Sequence, residues 1–176
     1  PERFEPVILV LAATLHDIGH VVHREDHSYY SIPLAADLLD RLLGDRYDTD
    51  TVVRLKSEVL HAILCHHTEE TPLTTEAGII RIADGLDMEW GRSRIPYEHG
   101  GRGINTLSSQ AIEEVRLKPG DETAVLVEIE MNNAAGVYQV DTLLKAKLAN
   151  SRLESHIRII AINTTGDDGL VERIEL

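Results

Sequence analysis

The chain has 176 residues, which fits one ordinary domain or one domain with a small companion. Its 43% apolar content suffices for a core, but with 4% aromatic residues that core must be mostly Leu, Ile, Val and Ala. A net charge of −13, shared between both halves, repels phosphate backbones and anionic membranes, so nucleic acid and membrane are not expected partners. The single cysteine, Cys65, excludes an internal disulfide and fits a reducing, cytoplasmic setting. No apolar run approaches the roughly 20 residues that span a bilayer, and no signal-peptide pattern is present.

In chain order, Val7 to Leu15 is apolar on nearly every side, as a buried helix would be, and should end near Asp17 because Gly19 weakens a helix interior. Pro1 is not an initiator methionine and the apolar segment starts almost at once, so the chain is read as truncated at its N-terminus. Residues 20–26 are charged and loop-like. Ser28 to Leu43 resumes a helical period, with Leu34, Leu38, Leu39 and Leu42 on one face and Gly44 as a stop. Thr49 or Asp50 is the expected cap of a third helix that ends at His66-His67. Thr74 or Thr75 should cap a fourth, running from Glu76 to about Trp90. The first half therefore predicts an all-helical bundle.

Residues 91–107 read as a connector rich in glycine. Beyond it the period changes to that of strands at Glu113–Leu117, Ala124–Glu130, His156–Ile162 and Leu170–Leu176. Val137 to Arg152 predicts an amphipathic helix with Val140, Leu143, Leu144 and Leu148 buried, and Gln139, Asp141 and Lys145 solvated. The resulting expectation is a helical domain over residues 1–98, a linker over 99–110, and a small β-β-α-β-β domain over 111–176 with one helix on an antiparallel sheet. Open sheet edges make self-association an expected property.

Chemistry concentrates in the first half. Seven of the nine histidines lie at positions 16, 20, 23, 27, 61, 66 and 67, and Asp84 follows. Imidazole suits Fe, Mn, Ni, Co or Zn, and carboxylates suit Mg or Mn, so the mixed set points to a hydrolytic metal centre. The adjacent pair His16-Asp17 is the sharpest feature. Neighbours on a helix point about 100° apart, so both reach one ion only from a terminus or a distortion, the role expected of Gly19. His16, His20, His23 and His27 fall at helical spacing, yet Gly19 and Arg24-Glu25-Asp26 argue against one unbroken helix. Asp84 sits among Ile79, Ile80, Ile82, Ala83 and Leu86, where a carboxylate needs a partner. Asp87, His61, His99 and His156 read as ordinary solvated or internally satisfied residues.

His16-Asp17-Ile18-Gly19, His27 opening a helix, Ala62-Ile63-Leu64-Cys65-His66-His67 and Ala83-Asp84-Gly85-Leu86-Asp87, in that order, resemble the HD-domain metal-dependent phosphohydrolases. They are similar to the HD domain of bacterial ribonuclease Y and, with the appended α+β unit, to uncharacterised archaeal-type HD proteins. The resemblance covers residues 1 to about 98. It implies one or two divalent ions per chain (Mn, Fe, Ni, Co, Mg or Zn). His16, Asp17 and Asp84 would hold the first, and His27 with His66 or His67 the second, with Asp17 bridging. The family pattern includes an earlier histidine one helix upstream, for which no residue before His16 is available. His20 stands where many members carry lysine and is expected to meet phosphate with a charge that depends on pH. Asp17 and His20 are therefore candidate catalytic residues. Arg92 and Arg94, just past the Asp84 helix, are candidate cationic donors to a phosphate.

The reading that follows is a cytoplasmic phosphohydrolase in which water, activated by the metal, attacks a small phosphate ester or nucleotide. An RNA phosphodiesterase is an alternative that the net charge opposes. A third is a non-catalytic regulatory protein that binds metal or nucleotide, with the α+β half passing on a signal.

Overall fold

A computed structural model describes residues 3–89, 91, 98, 100, 103–164 and 173–176. The chain divides into two compact units, Pro1–Asp84 with Asn150–Arg152, and Gly85–Ala149 with Leu153–Leu176.

The first unit is helical: α1 (Glu5–Leu15), α2 (His27–Leu43), α3 (Thr49–Leu64) and α4 (Thr75–Leu86, whose last two residues fall in the second unit), with a 3-10 turn at Ile18–Val21 between α1 and α2. Its core is aliphatic, as the shortage of aromatics requires: Ile8, Ala12, Leu15, Ala35, Leu39, Leu43, Leu55, Val59, Ala62, Ile63, Ala77 and Ile80. In α1 only Ile8, Ala12 and Leu15 are buried and Val10 is 64% exposed, so the expected all-round burial is corrected to a single face. The buried stripe of α2 runs Ser28, Ser31, Ala35, Leu39, Leu43, with Leu42 exposed, so two serines occupy core positions where the leucines alone suggested another face.

Side-chain caps begin α3 and α4. Asp48, not Thr49 or Asp50, caps α3: its backbone is extended, and its carboxylate accepts from the Thr51 amide at 3.1 Å and the Thr51 hydroxyl at 2.7 Å. The Thr74 hydroxyl accepts from the Ala77 amide at 3.3 Å and starts α4, which stops at Leu86, short of the expected Trp90.

The second unit contains a short helix α5 (Ile104–Ser109) inside the stretch expected to be linker, and a four-stranded sheet: β1 (Ile112–Pro119), β2 (Val125–Met131), β3 (Ile157–Asn163) and β4 (Arg173–Glu175). The sheet order is β1-β2-β3-β4, and it is mixed, not antiparallel as expected. β1 and β4 run antiparallel to their neighbours, but β2 and β3 are parallel, with Val127 opposite Ile159. Parallel neighbours need a crossover connection. Here that connection passes through a 3-10 turn (Ala134–Gly136), a π-helical stretch (Tyr138–Leu144) and a final α turn, α6 (Lys145–Leu148), not one regular helix to Arg152. Gln139, expected to be solvated, is buried and donates to the Asn105 carbonyl and the Ser108 hydroxyl. One sheet face buries Val127, Ile129, Met131, Ile159 and Ala161, while the other carries ion pairs such as Arg116 with Glu114 and Glu130. Among the described residues no helix is long and apolar enough to cross a membrane.

Candidate metal centre

The end of α1 places the first two side chains. His16 is the C-cap residue, and Asp17 follows with φ −98° and ψ 3°, outside helical geometry, so the adjacent pair is splayed by a helix terminus. Gly19 has a different task from the expected distortion. A β-carbon there would lie 2.6 Å from the Ser31 amide nitrogen and closer still to the His27 carbonyl oxygen, so glycine lets the turn touch the backbone of α2. Ser31 joins the two: its hydroxyl accepts from the Gly19 amide at 2.9 Å and donates to the His16 carbonyl at 2.6 Å.

With the turn seated this way, imidazoles from three places converge. His27 Nε2 lies 3.1 Å from Asp17 Oδ1, 3.0 Å from His66 Nε2 and 3.1 Å from His67 Nε2. His66 Nε2 is 3.6 Å from Asp17 Oδ1, and His16 Nε2 is 3.5 Å from Asp17 Oδ2 and 3.8 Å from Asp84 Oδ1. His20 stacks on His27 with ring centroids 3.8 Å apart and brings its Nε2 to 3.6 Å from Asp17 Oδ1. His16, His20 and His27 thus meet through a 3-10 turn and a chain reversal, whereas His23 turns to Asp26 and is half-exposed.

The far sides of the rings decide what the near sides can do. Nδ1 of His16, His27 and His66 donates to the carbonyls of Ala13, Arg24 and Ile63 at 2.8, 2.7 and 2.6 Å. A carbonyl only accepts, so the proton of each neutral ring sits on Nδ1 and a lone pair on Nε2. Two such lone pairs 3.0 Å apart, as between His27 and His66, repel unless a cation lies between them. This is the arrangement of metal-binding histidines, with one nitrogen tied to a backbone carbonyl and the other directed at the ion.

Among the described residues, three overlapping groups could hold a metal ion: His27-His66-His67, His16-Asp17-His66 and Asp17-His20-His27, with the ligand atoms of each within 4.8 Å of one another. The HD domain family model matches residues 2–89, half of the chain. The chain belongs to the HD-domain superfamily of metal-dependent phosphohydrolases. An uncharacterised protein of Methanocaldococcus jannaschii is 39% identical over 155 residues, which is 88% of this chain and 60% of that relative. The chain therefore spans less than two thirds of the length of that relative. No solved structure matches.

The donor chemistry of this HD domain fits a divalent ion. Separations of 3.0–3.8 Å between donor atoms are the edges expected of a shell with bonds of about 2.0–2.2 Å. Burial raises the Asp17 carboxyl pKa, but whenever the surrounding imidazoles carry their second proton, the His66 hydrogen bond and the charges of His16, His66 and His27 outweigh it and hold the carboxyl well below the usual range. Burial, with the charge of His27, pushes the His20 imidazole down, so it favours the neutral form. Asp17 and His20 are thereby held in the states that bind cations.

The structure brings together His16, Asp17, His20, His27, His66 and His67, with Asp84 beside His16. Arg92 and Arg94 lie outside the described residues. Ser31 and Arg81, which the sequence reading does not single out, are both fully buried and bonded to the backbone carbonyls of His16 and His67. Their signal was a polar residue at a core position of an apolar helical stripe. Cys65, between Leu64 and His66, is no part of the chemistry. It is 1% exposed, burial raises its thiol pKa, and Sγ rests 3.6 Å from His61 Nδ1. Thiolate is the reactive form. At pH 8 the folded protein is expected to resist a thiol reagent and to take up one equivalent only after denaturation, which mass spectrometry reads directly.

Proposed function

We propose that this HD domain is a divalent-metal-dependent phosphohydrolase acting on a small phosphate ester or nucleotide. The observation that carries the proposal is the fixing of three Nδ1 protons on backbone carbonyls, which turns the Nε2 atoms of His16, His27 and His66 toward the carboxylate of Asp17. His16, Asp17 and Asp84 would hold one ion, and His27, His66 and His67 would extend the set toward a second. A divalent ion bound there supplies Lewis acidity, which acidifies water and neutralises charge on a phosphoryl oxygen.

The remaining work falls to the side chains. Asp17, kept anionic, bridges the two groups of imidazoles and orients them through contacts to His27 and His66. His20 has 41% of its side chain exposed and a lowered pKa, which support the reading that it would take a proton at Nε2 from an attacking water at neutral pH. A small substrate suits the acidic chain better than a polyanion, because a net charge of −13 repels each added phosphate. The test is phosphate or nucleotide release by the protein loaded in turn with Mn2+, Co2+, Ni2+, Zn2+ and Mg2+, over a panel of phosphate monoesters, nucleotides and labelled RNA. Turnover of a small ester or nucleotide with at least one metal is expected. Cleavage of RNA alone, or no release from any substrate, would overturn the proposal.

A further inference from the structure

Arg81 is the largest fully buried side chain among the described residues, at 1% exposure. It occupies α4 between Ile80 and Ile82, three residues before Asp84. A guanidinium keeps its charge in proteins, and a buried charge is costly unless its donors are met. Here Nε donates to the His67 carbonyl at 3.1 Å, and Nη2 donates to the same carbonyl and, at 2.9 Å, to the carbonyl of Glu70. The fork therefore grips both ends of the turn His67-Thr68-Glu69-Glu70.

That turn continues directly from the histidine pair of the centre. His66 is secured through its ring to the Ile63 carbonyl, and His67 follows it at the start of the turn. Its ring reaches His27 Nε2 at 3.1 Å, while its Nδ1 lies 3.5 Å from Glu69 of the same turn. The backbone that carries the His67 ring is thus held by the Arg81 fork at the turn. On the solvent side a weaker tie reaches the same turn, because the Tyr29 hydroxyl, two residues past His27, donates to the Glu70 carboxylate at 3.0 Å.

We infer that Arg81 is a positioning residue for the metal centre: by clamping the carbonyls of His67 and Glu70 it holds the His67 imidazole against His27. Because α4 also carries Asp84, one helix sets a carboxylate at one side of the centre and an imidazole at the other. The inference rests on the metal reading of the site. Lysine at this position keeps the charge but lacks the planar fork, so it cannot serve both carbonyls in the same way.

The test is titration of Co2+ into the metal-free full chain, followed by calorimetry and by the visible absorption of the bound ion. It compares wild type, Arg81→Lys and Tyr29→Phe, with folding checked by circular dichroism. Loss of an outer partner of a metal ligand costs about 10–100-fold in affinity. Arg81→Lys is expected to weaken Co2+ binding by that factor and to alter the visible band, while a folded spectrum is retained. Tyr29→Phe, losing one exposed tie to the same turn, is expected to weaken it about threefold. If wild type takes up no Co2+, the metal reading itself falls. If wild type binds and folded Arg81→Lys shows the same affinity and band, Arg81 serves the fold alone and the inference is overturned. If Arg81→Lys does not fold, Tyr29→Phe decides, and wild-type affinity with a wild-type band in that variant overturns it.

Discussion

Replacing Asp17 with asparagine is expected to abolish both metal binding and phosphate release while leaving the helical unit folded. The side chain is 43% exposed, so the substitution opens no cavity, and the amide keeps the shape of the carboxyl group. What is lost is the anion shared by His16, His27 and His66, whose nitrogens lie 3.1–3.6 Å from its oxygens. Outer partners of metal ligands are worth about 10–100-fold in affinity, so loss of Asp17, the central ligand of the proposed site, should exceed about 100-fold. Stabilisation of transition-state charge by several kcal/mol, at about 1.4 kcal/mol per factor of ten, corresponds to a fall in kcat/KM of about 10³-fold or more. Calorimetric titration with Mn2+ and a phosphate-release assay on the folded variant measure both quantities.

The same carboxylate predicts an acid response with a definite sign. Its folded pKa is depressed, so its contribution to stability is present above the unfolded carboxyl value near 3.9 and is lost as pH falls through the lower folded value. In the metal-free protein, Asp17→Asn should therefore flatten the acid limb of melting temperature against pH. An unchanged limb would mean that the imidazoles do not act on this carboxylate.

Gly19→Ala is expected to cost the first unit a large part of its stability and the centre its geometry. The added carbon would meet backbone atoms of α2, among them the Ser31 nitrogen at 2.6 Å and the His27 carbonyl carbon at 2.9 Å, not the yielding end of a side chain. Relief requires the turn and α2 to separate, which breaks the Ser31 hydroxyl relay to Gly19 and His16. Overpacking typically costs about 1–3 kcal/mol, and a lost buried hydrogen bond adds about 1 kcal/mol. At roughly 2–4 °C per kcal/mol for a chain of this size, the melting temperature should fall by about 5–15 °C. Separation also moves Asp17 from His27, so metal affinity should fall together with stability. Thermal melting and metal titration read the two effects. A variant that melts like wild type and binds metal equally well would show that the contact of the turn with α2 is not needed.

Residue identities and helical periodicity are local properties, and they made the four helices of the first unit and the list of ligand candidates readable in the sequence. His16, Asp17, His27, His66 and Asp84 could be nominated because their order and spacing resemble the HD-domain pattern. Boundaries were less readable, because a cap depends on backbone conformation: Asp48 begins α3 by being extended, which its composition does not reveal. Gly19 looked like a breaker of helices, whereas its position against α2 depends on a residue twelve places away.

The sequence alone therefore determined which chemical groups are present, in what order and on which helices, since side-chain type and periodicity need no distant contact. Only the tertiary structure decided which ring nitrogen carries the proton, because the carbonyls of Ala13, Arg24 and Ile63 become acceptors only when each ring is folded back on its own turn. It also decided that Arg81 faces inward to two carbonyls, and that β2 and β3 run parallel. The last two outcomes depend on pairings between residues distant in the chain, and the first on the backbone conformation of each ring's own turn, neither of which residue identity encodes.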